Sequence, residues 1–365
     1  YKKTVDDVFV PLKSDLTAGV NELSESNAAI TEAMLAITGY PSYISGIPYR
    51  TTLLDWAEGK DVFSDYGNIN TTEDARLEMG DPLHAEPALV QYGEVDATVD
   101  GKAVKVADLV SYVATNDGYL HAFDVDDGKE LFSFVPQELL PNLSTAMEDA
   151  GSKKLYGLDG NVVAWINDVG KDGTVTQSDG DHVYLYVGMR RGGKNIYSFD
   201  VTIRDKPVLR WVIKGGIAGT DFEELGQTWS AVNVEKVMHG TSEKTVLIFG
   251  GGYDPAQDGT TVKSADSSGR TVFIVDADTG ERLWSAGVGG AATTGMDYSI
   301  PARIKPLDTS GDGYIDRLYA VDMGGQVFRF DIDNTNDAAV GSSVTGALFA
   351  SLAGTDEENA RRFFY

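Results

Sequence analysis

The sequence predicts an all-β fold, a β-propeller of four-stranded antiparallel blades, and three observations carry that prediction. First, one five-residue frame recurs without gaps: Leu120-His-Ala-Phe-Asp124, Ile196-Tyr-Ser-Phe-Asp200, Val272-Phe-Ile-Val-Asp276 and Val327-Phe-Arg-Phe-Asp331. Each copy is apolar at its first and fourth places and ends in Asp, with Asp-to-Asp spacings of 76, 76 and 55. Second, a glycine (Gly118, Gly193, Gly269, Gly325) stands two or three residues before each copy. Third, a further β-type run precedes each glycine: Val110–Thr115, Val183–Val187, Val246–Phe249 and Leu318–Val321. Run, glycine and frame read together as a hairpin. A unit repeated in this way and stacked radially is a propeller, which leaves only short sheet edges.

The outer elements complete each unit. Downstream, Asp127–Phe132, Lys206–Trp211 and Thr279–Trp284 each supply a turn followed by a strand. Upstream, Pro87–Val90, Asn161–Trp165, Ser230–Val234 and Ile300–Ile304 supply the first strand. The blades are expected over about 77–365, as a modified propeller that is incomplete or truncated. Residues 1–76 read differently, as a short helical or irregular section. Asp15–Leu23 and Ala28–Ile37 carry helical spacing, and Pro41 and Pro48 are expected to break any helix. Ile332–Gly346 reads as a surface insertion in the fourth blade.

Asp308-Thr-Ser-Gly-Asp-Gly-Tyr-Ile-Asp316 lies between the first two strands of that blade. Loops of the EF-hand type offer a calcium ion hard oxygen ligands at alternate positions and turn sharply on a glycine at position 6. Here the side chains of Asp308, Ser310, Asp312 and Asp316, with the main-chain carbonyl of Tyr314, are the expected Ca²⁺ ligands, and Gly313 is the turn. The usual glutamate at position 12 is replaced by Tyr319. The competing reading is an acidic solvated turn, since Asp, Ser and Gly are ordinary turn residues. The equivalent hairpin of the second blade, within 168–181, is also acidic. Asp168, Gly170 and Asp172 take positions 1, 3 and 5, but Gly170 lacks a side-chain oxygen and position 9 falls on Thr176. A weak or lost site is expected there.

Composition sets further bounds. With 365 residues, 42% hydrophobic and 24% charged, the chain is that of a folded globular protein. A formal net charge of −26 opposes binding to nucleic acid or anionic membranes and concentrates cations. No apolar run suits a membrane helix. The absence of cysteine excludes disulfides and leaves the redox compartment open. The chain begins without Met and ends at Arg361-Arg-Phe-Phe-Tyr365, so it reads as a fragment with targeting signals outside it.

Catalytic constellations are weak. His84, His121, His182 and His239 are scattered, and His121, inside a strand, is expected to be packed. No serine occupies a Gly-x-Ser-x-Gly elbow. Gly250-Gly-Gly252 lacks the Lys-Ser/Thr of a phosphate loop and reads as close backbone approach. The Gly…Asp…Thr-Gly…Leu-Trp pattern of the blades resembles quinoprotein alcohol dehydrogenases. Those enzymes typically bring an adjacent cysteine pair, which this chain lacks, although soluble quinoprotein glucose dehydrogenases lack it too. A quinone-dependent dehydrogenase therefore stays as an alternative, with a carbohydrate-binding propeller as a weaker one.

Three stretches carry a closer likeness: Leu77–Val90, Ala114–Asp124 and the long ungapped run Asp308–Asp331. They resemble the PilY/PilC family of type IV pilus biogenesis factors, in its propeller entry, first blade hairpin and calcium loop respectively. Arg361–Phe364 resembles that family's entry into a further blade. The resemblance implies a propeller near the C-terminal end of a large secreted protein at the pilus tip or outer surface of a Gram-negative bacterium. It implies a non-enzymatic adhesin in which Ca²⁺ regulates pilus extension against retraction. The implied partners are pilin or minor pilins and a host-surface receptor. Ser310 stands where Asn or Asp is commoner in that family, a change expected to weaken affinity.

Overall fold

The structure, a computed structural model, describes residues 2–3, 22–43, 46–62, 79–99, 101–148, 154–291, 295–335 and 337–354. In chain order the elements are β1 (Lys2–Lys3), α1 (Tyr49–Ala57), β2 (Ala88–Val99), β3 (Lys102–Ala114), β4 (Leu120–Asp124), β5 (Glu130–Phe134), α2 (Leu143–Glu148), β6 (Val162–Asn167), β7 (His182–Gly188), β8 (Ile196–Asp200) and β9 (Val208–Ile213). There follow β10 (Asn233–His239), β11 (Ser242–Gly250), β12 (Thr271–Asp276), β13 (Arg282–Gly287), β14 (Lys305–Leu307), β15 (Arg317–Val321), β16 (Gln326–Ile332), α3 (Val340–Ser343) and β17 (Val344–Ser351). The fold is all-β. Its four sheets run β2-β3-β4-β5, β6-β7-β8-β9, β10-β11-β12-β13 and β14-β15-β16-β17, with β1 added outside β5.

Each recurring frame is the third strand of its sheet. Its closing Asp has a local reason in the first three: the carboxylate accepts main-chain N–H groups of the turn that follows. Asp124 takes Asp126 N–H at 3.0 Å, Asp200 takes Thr202 N–H at 2.9 Å, and Asp276 takes Asp278 N–H at 2.9 Å. Such an Asx turn aims the chain back into the fourth strand. The fourth copy has no tight turn, and Asp331 instead pairs with Arg317 at 3.0 Å and Arg329 at 2.7 Å.

Two compact units divide the chain: Tyr1–Leu185 with Phe199–Arg210, and Tyr186–Ser198 with Trp211–Tyr365. In the first, Val90, Val110, Tyr112, Leu120, Ala122 and Phe132 are buried. The Tyr92 hydroxyl donates to Val201 O at 2.6 Å and lies 2.7 Å from the Tyr112 hydroxyl. In the second, Val246, Ile248, Val272 and Ile274 share one core with Leu318, Ala320, Phe328, Phe330 and Ile315. Burying a side chain such as Phe330 contributes about 1.5–3 kcal/mol. Truncating it to Ala is expected to cost about 3–5 kcal/mol, because a cavity adds to the lost transfer energy. The triglycine reading holds here: a Cβ on Gly250 would stand 2.3 Å from Ile300 O, and one on Gly252 2.0 Å from Gln227 O.

Several boundaries differ from expectation. Residues 28–37 form successive turns rather than a helix, with Ala36 at φ +55°. Their apolar spacing serves burial instead, since Ile30, Leu35 and Ile37 are all inaccessible or nearly so. Arg50 ties these turns to α1 by donating to the carbonyls of Ile30 (2.7 Å), Glu25 (2.8 Å) and Asn27 (2.5 Å). Pro48 does not break a helix but immediately precedes one, where a missing N–H and fixed φ are tolerated. The first strands of the third and fourth sheets begin later than Ser230 and Ile300. Ile300 is engaged by the glycine turn of the third sheet, donating to Gly269 O at 2.9 Å and accepting from Gly252 N–H at 3.0 Å. The surface insertion is shorter than Ile332–Gly346: Ile332 ends β16, Val340 is fully buried, and β17 starts at Val344. The expected helix from Asp15 (bar Glu22 and Leu23), residues 77–78, the 76/77 boundary and Arg361–Phe364 lie outside the described residues.

Candidate functional site

The Asp308–Asp316 loop joins β14 to β15 and is pinned at its far end. Ile315 is buried in the core, and its N–H donates to Lys236 O at 3.0 Å. Asp316 N–H donates to Leu307 O at 3.0 Å, closing the hairpin base. The Tyr314 hydroxyl donates to Glu243 at 3.1 Å, which fastens the loop's flank to β11 and pushes that hydroxyl's pKa up.

Two carboxylates organise the interior of the loop. Asp308 accepts the N–H groups of Gly311 (2.6 Å) and Gly313 (2.8 Å), with the Ser310 hydroxyl at 3.1 Å. Those donors, Gly313 N–H foremost, hold the Asp308 carboxyl below the ordinary value of 3.8. Asp316 reaches back to accept Thr309 and Ser310 N–H, both at 3.0 Å, and the Thr309 hydroxyl at 2.8 and 2.7 Å. Asp312 accepts Tyr314 N–H at 2.9 Å. Gly311 and Gly313 have φ of +77° and +93°, a left-handed backbone that glycine adopts without steric cost.

The five expected ligands thus share one exposed loop. Three carboxylates, a hydroxyl and a carbonyl suit the hard-oxygen preference of Ca²⁺ in kind, and reach its six to eight oxygens once a carboxylate binds through both oxygens or water joins them. Each carboxylate has about four lone-pair sites, so the main-chain contacts leave acceptor capacity on all three. Their oxygens face loop N–H groups, however, and among the described residues no three acidic or imidazole side chains are gathered about one point. The residues fit a calcium ion by chemistry, and the loop's backbone is shaped ahead of it. Thr309, whose hydroxyl braces Asp316, was not singled out by the sequence; nothing in a position 2 residue signals that role.

The 168–181 loop joins β6 to β7. Asp168 accepts Gly173 N–H at 2.8 Å and Asp172 accepts Thr174 N–H at 2.9 Å, at the same spacings as Asp308 to Gly313 and Asp312 to Tyr314. The closing carboxylate is not at Thr176. Asp181, almost fully buried, accepts Val169 and Thr176 N–H, both at 2.8 Å, as Asp316 accepts Thr309. Those two N–H groups hold the Asp181 carboxyl below its ordinary value. Five extra residues hide this equivalence in the sequence.

The histidines are held separately. His84 Nδ1 meets Asp159 at 2.9 Å, and His239 Nδ1 accepts Val340 N–H at 3.3 Å. His182 stacks on Tyr184 at 4.3 Å. His121 is packed as expected, its ring between Tyr119 and Phe123 at 5.6 Å each and its Nδ1 2.6 Å from Glu130.

Comparison with known proteins places the chain. The family model of the PilY1 β-propeller domain matches residues 88–356. The chain is 25% identical over 301 residues to the type IV pilus biogenesis factor PilY1 of Pseudomonas aeruginosa strain UCBPP-PA14, covering 77% of this chain and 23% of that protein. It is 31% identical over 224 residues to PilY1 of strain PAO1, covering 60% of this chain and 17% of that protein. A PilY1 homologue of Xylella fastidiosa is 28% identical over 254 residues, 67% of this chain and 15% of that protein. The chain therefore spans less than a quarter of the length of these relatives. Among solved structures, the P. aeruginosa PilY1 C-terminal domain aligns at 26% identity with a TM-score of 0.46, over 70% of this chain and 47% of that one. A quinohemoprotein alcohol dehydrogenase from Comamonas testosteroni aligns at 16% identity with a TM-score of 0.36, over 69% and 36%. With its matched stretch running from the first strand of the first sheet past the last strand of the fourth, the chain belongs to the PilY1 β-propeller domain family.

Proposed function

We propose that this chain is the calcium-binding propeller of a type IV pilus biogenesis factor, and that the ion biases pilus extension against retraction. One observation carries the calcium reading: a loop with three carboxylates and a hydroxyl, wound on two left-handed glycines, lies inside the stretch that matches the family. Asp308, Ser310, Asp312 and Asp316 would hold the ion with the Tyr314 carbonyl. Bound there, Ca²⁺ supplies two positive charges to a loop carrying three negative ones. Asp316 is the lever. It spans the loop from the start of β15 to the N–H groups of Thr309 and Ser310, so turning its oxygens to an ion changes what holds the loop's first turn.

In this reading the protein is not an enzyme; it acts outside the cell, at the pilus tip or outer surface, on pilin or minor pilins and as an adhesin on a host-surface receptor. Surface piliation is the test, measured with Asp316→Ala and Asp316→Lys in the full-length protein. Lysine places an ammonium among the loop carboxylates and is expected to mimic the loaded state, whereas alanine mimics the empty one. Calcium binding lost in both variants, with piliation unchanged in both, would make the ion structural and end the regulatory reading. Dye reduction on adding quinone with Ca²⁺ would instead favour a dehydrogenase.

A further inference from the structure

The turn between β15 and β16, residues 322–325, buries a carboxylate that the calcium reading does not use. Asp322 is only 5% exposed. Its Oδ1 accepts the N–H groups of Gly324 (2.9 Å) and Gln326 (2.8 Å). The Gln326 side-chain amide donates to Asp322 Oδ2 and to Gly295 O, both at 2.8 Å. A Cβ on Gly324 would stand 2.1 Å from Tyr298 Cδ2, so the tyrosine ring lies directly against that glycine. A second buried acid, Asp266, is reached through one residue. Ser299 N–H donates to Asp266 Oδ2 at 2.6 Å, and Ser299 O accepts the N–H of Met323, the neighbour of Asp322, at 2.9 Å. Asp266 is 3% exposed, so both carboxyl groups sit where little water reaches.

Three segments set the charge balance at Asp322. Its own turn supplies the N–H donors, which favour the ionised form. The segment 263–269 brings Asp266, which opposes ionisation, and Lys263, which favours it and whose ammonium lies 5.6 Å over the Tyr298 ring. The segment 295–299 brings Tyr298 and the exposed Asp297, whose main-chain oxygen accepts Asp266 N–H at 2.8 Å. Burial outweighs the donors and, with the Asp266 charge, pushes the Asp322 carboxyl up to about 7. We propose that Asp322 is a proton switch: uncharged, it seats the β15–β16 turn against Ser299 and Tyr298, and on ionising beside Asp266 it loosens that seat. Leu352 N–H donates to Gly325 O at 2.8 Å, so the switch also reaches the chain just beyond β17. A carboxyl raised on folding keeps its proton in the native chain after the unfolded chain has lost it. Its contribution to stability therefore falls as pH rises from 3.8 to about 7, and the loss is complete above that.

Carbon-13 spectra of the intact chain, labelled in its aspartate carboxyl groups, follow the proton directly. One carboxyl resonance is expected to titrate near pH 7, and to be missing from Asp322→Asn, an uncharged variant of the same shape. Asp266→Asn leaves Asp322 in place and is expected to move that titration to lower pH, which identifies the group even where Asp322→Asn does not fold. Thermal midpoints measure the consequence. The midpoint of Asp322→Asn is expected to gain on that of the parent as pH rises from about 5 to about 8. No aspartate titrating near neutrality, a neutral-range resonance that persists in Asp322→Asn or is unmoved in Asp266→Asn, or a midpoint difference independent of pH would each overturn the proposal.

Discussion

The loops at 168–181 and 308–316 have nearly the same main-chain plan and a different supply of ligands. Both start on an Asp that accepts an N–H five residues on, from Gly173 in one and Gly313 in the other. Both place a left-handed residue at position 4, Lys171 (φ +54°) and Gly311 (φ +77°), and a left-handed glycine at position 6. Both close on a carboxylate that reaches back to the residue after the first Asp. They part at position 3, where Gly170 has no oxygen and Ser310 has a hydroxyl, and at position 4, where Lys171 adds a positive charge. In the 168–181 loop the Asp168 Oδ1 is buried with no hydrogen-bond partner among the described residues, whereas both Asp308 oxygens are engaged. The comparison teaches that Asp at position 1, glycine at position 6 and a closing Asp suffice to wind the loop. On the proposal that only the 308–316 loop holds calcium, the count of side-chain oxygens and the net charge beside them, rather than loop shape, distinguish the two.

The largest effect that would break this contrast is at Asp316. Its alanine variant removes a charged ligand and the acceptor for three loop donors together. Calcium affinity is expected to fall at least tenfold, about 1.4 kcal/mol, while circular dichroism stays that of the parent, since the Asp316 carboxylate bonds to Thr309 and Ser310 of its own loop and the main-chain bonds that close the hairpin are kept. The matching variant in the other loop, Asp181→Ala, is expected to leave calcium affinity unchanged; a comparable loss there would place a working site at 168–181. An intermediate effect is expected from exchanging position 3. Ser310→Gly makes the fourth-blade loop resemble the second and should weaken calcium several-fold in a calorimetric titration.

How much of this was legible in the sequence depends on which physical rule wrote it. The third strands were readable because apolar alternation closed by Asp is a local pattern with a local cause. The calcium candidate was readable for the same reason, its ligands lying within nine consecutive residues. Asp181 was not, because five inserted residues break the spacing while the carboxylate still reaches Val169. Residues 28–37 misled for the opposite reason: their apolar spacing matches a helix, but burial of Ile30 and Leu35 under the Arg50 contacts is satisfied by turns.

Acidity offers a finer test of the same contrast. Loop N–H groups hold the Asp308 carboxyl below 3.8. For a carboxyl depressed on folding, the stabilisation is present above the unfolded value and is lost as pH falls through the folded one. The Asp308 bonds to Gly311 and Gly313 N–H are therefore expected to persist as pH falls to the ordinary carboxylate value and to be lost only below it; their loss already above that value, followed by the amide proton shifts of the two glycines, would contradict this. The smallest effect belongs to Lys171. Glycine there relieves a left-handed backbone, and Lys171→Gly is expected to raise thermal stability by up to about 1 kcal/mol, read from the melting midpoint. No gain would mean that Lys171 makes a compensating contact.

Calorimetry on the intact chain, titrated with Ca²⁺ and then with Mg²⁺, tests the central claim most directly. One calcium ion per chain is predicted, bound well ahead of Mg²⁺, because carboxylates that can bind through one or both oxygens suit the larger ion, whereas Mg²⁺ demands near-ideal octahedral geometry and dehydrates reluctantly. That single event should vanish in Asp316→Ala and persist in Asp181→Ala. No heat with Ca²⁺, equal affinity for the two ions, or a single event that survives Asp316→Ala would contradict the assignment of calcium to the Asp308–Asp316 loop.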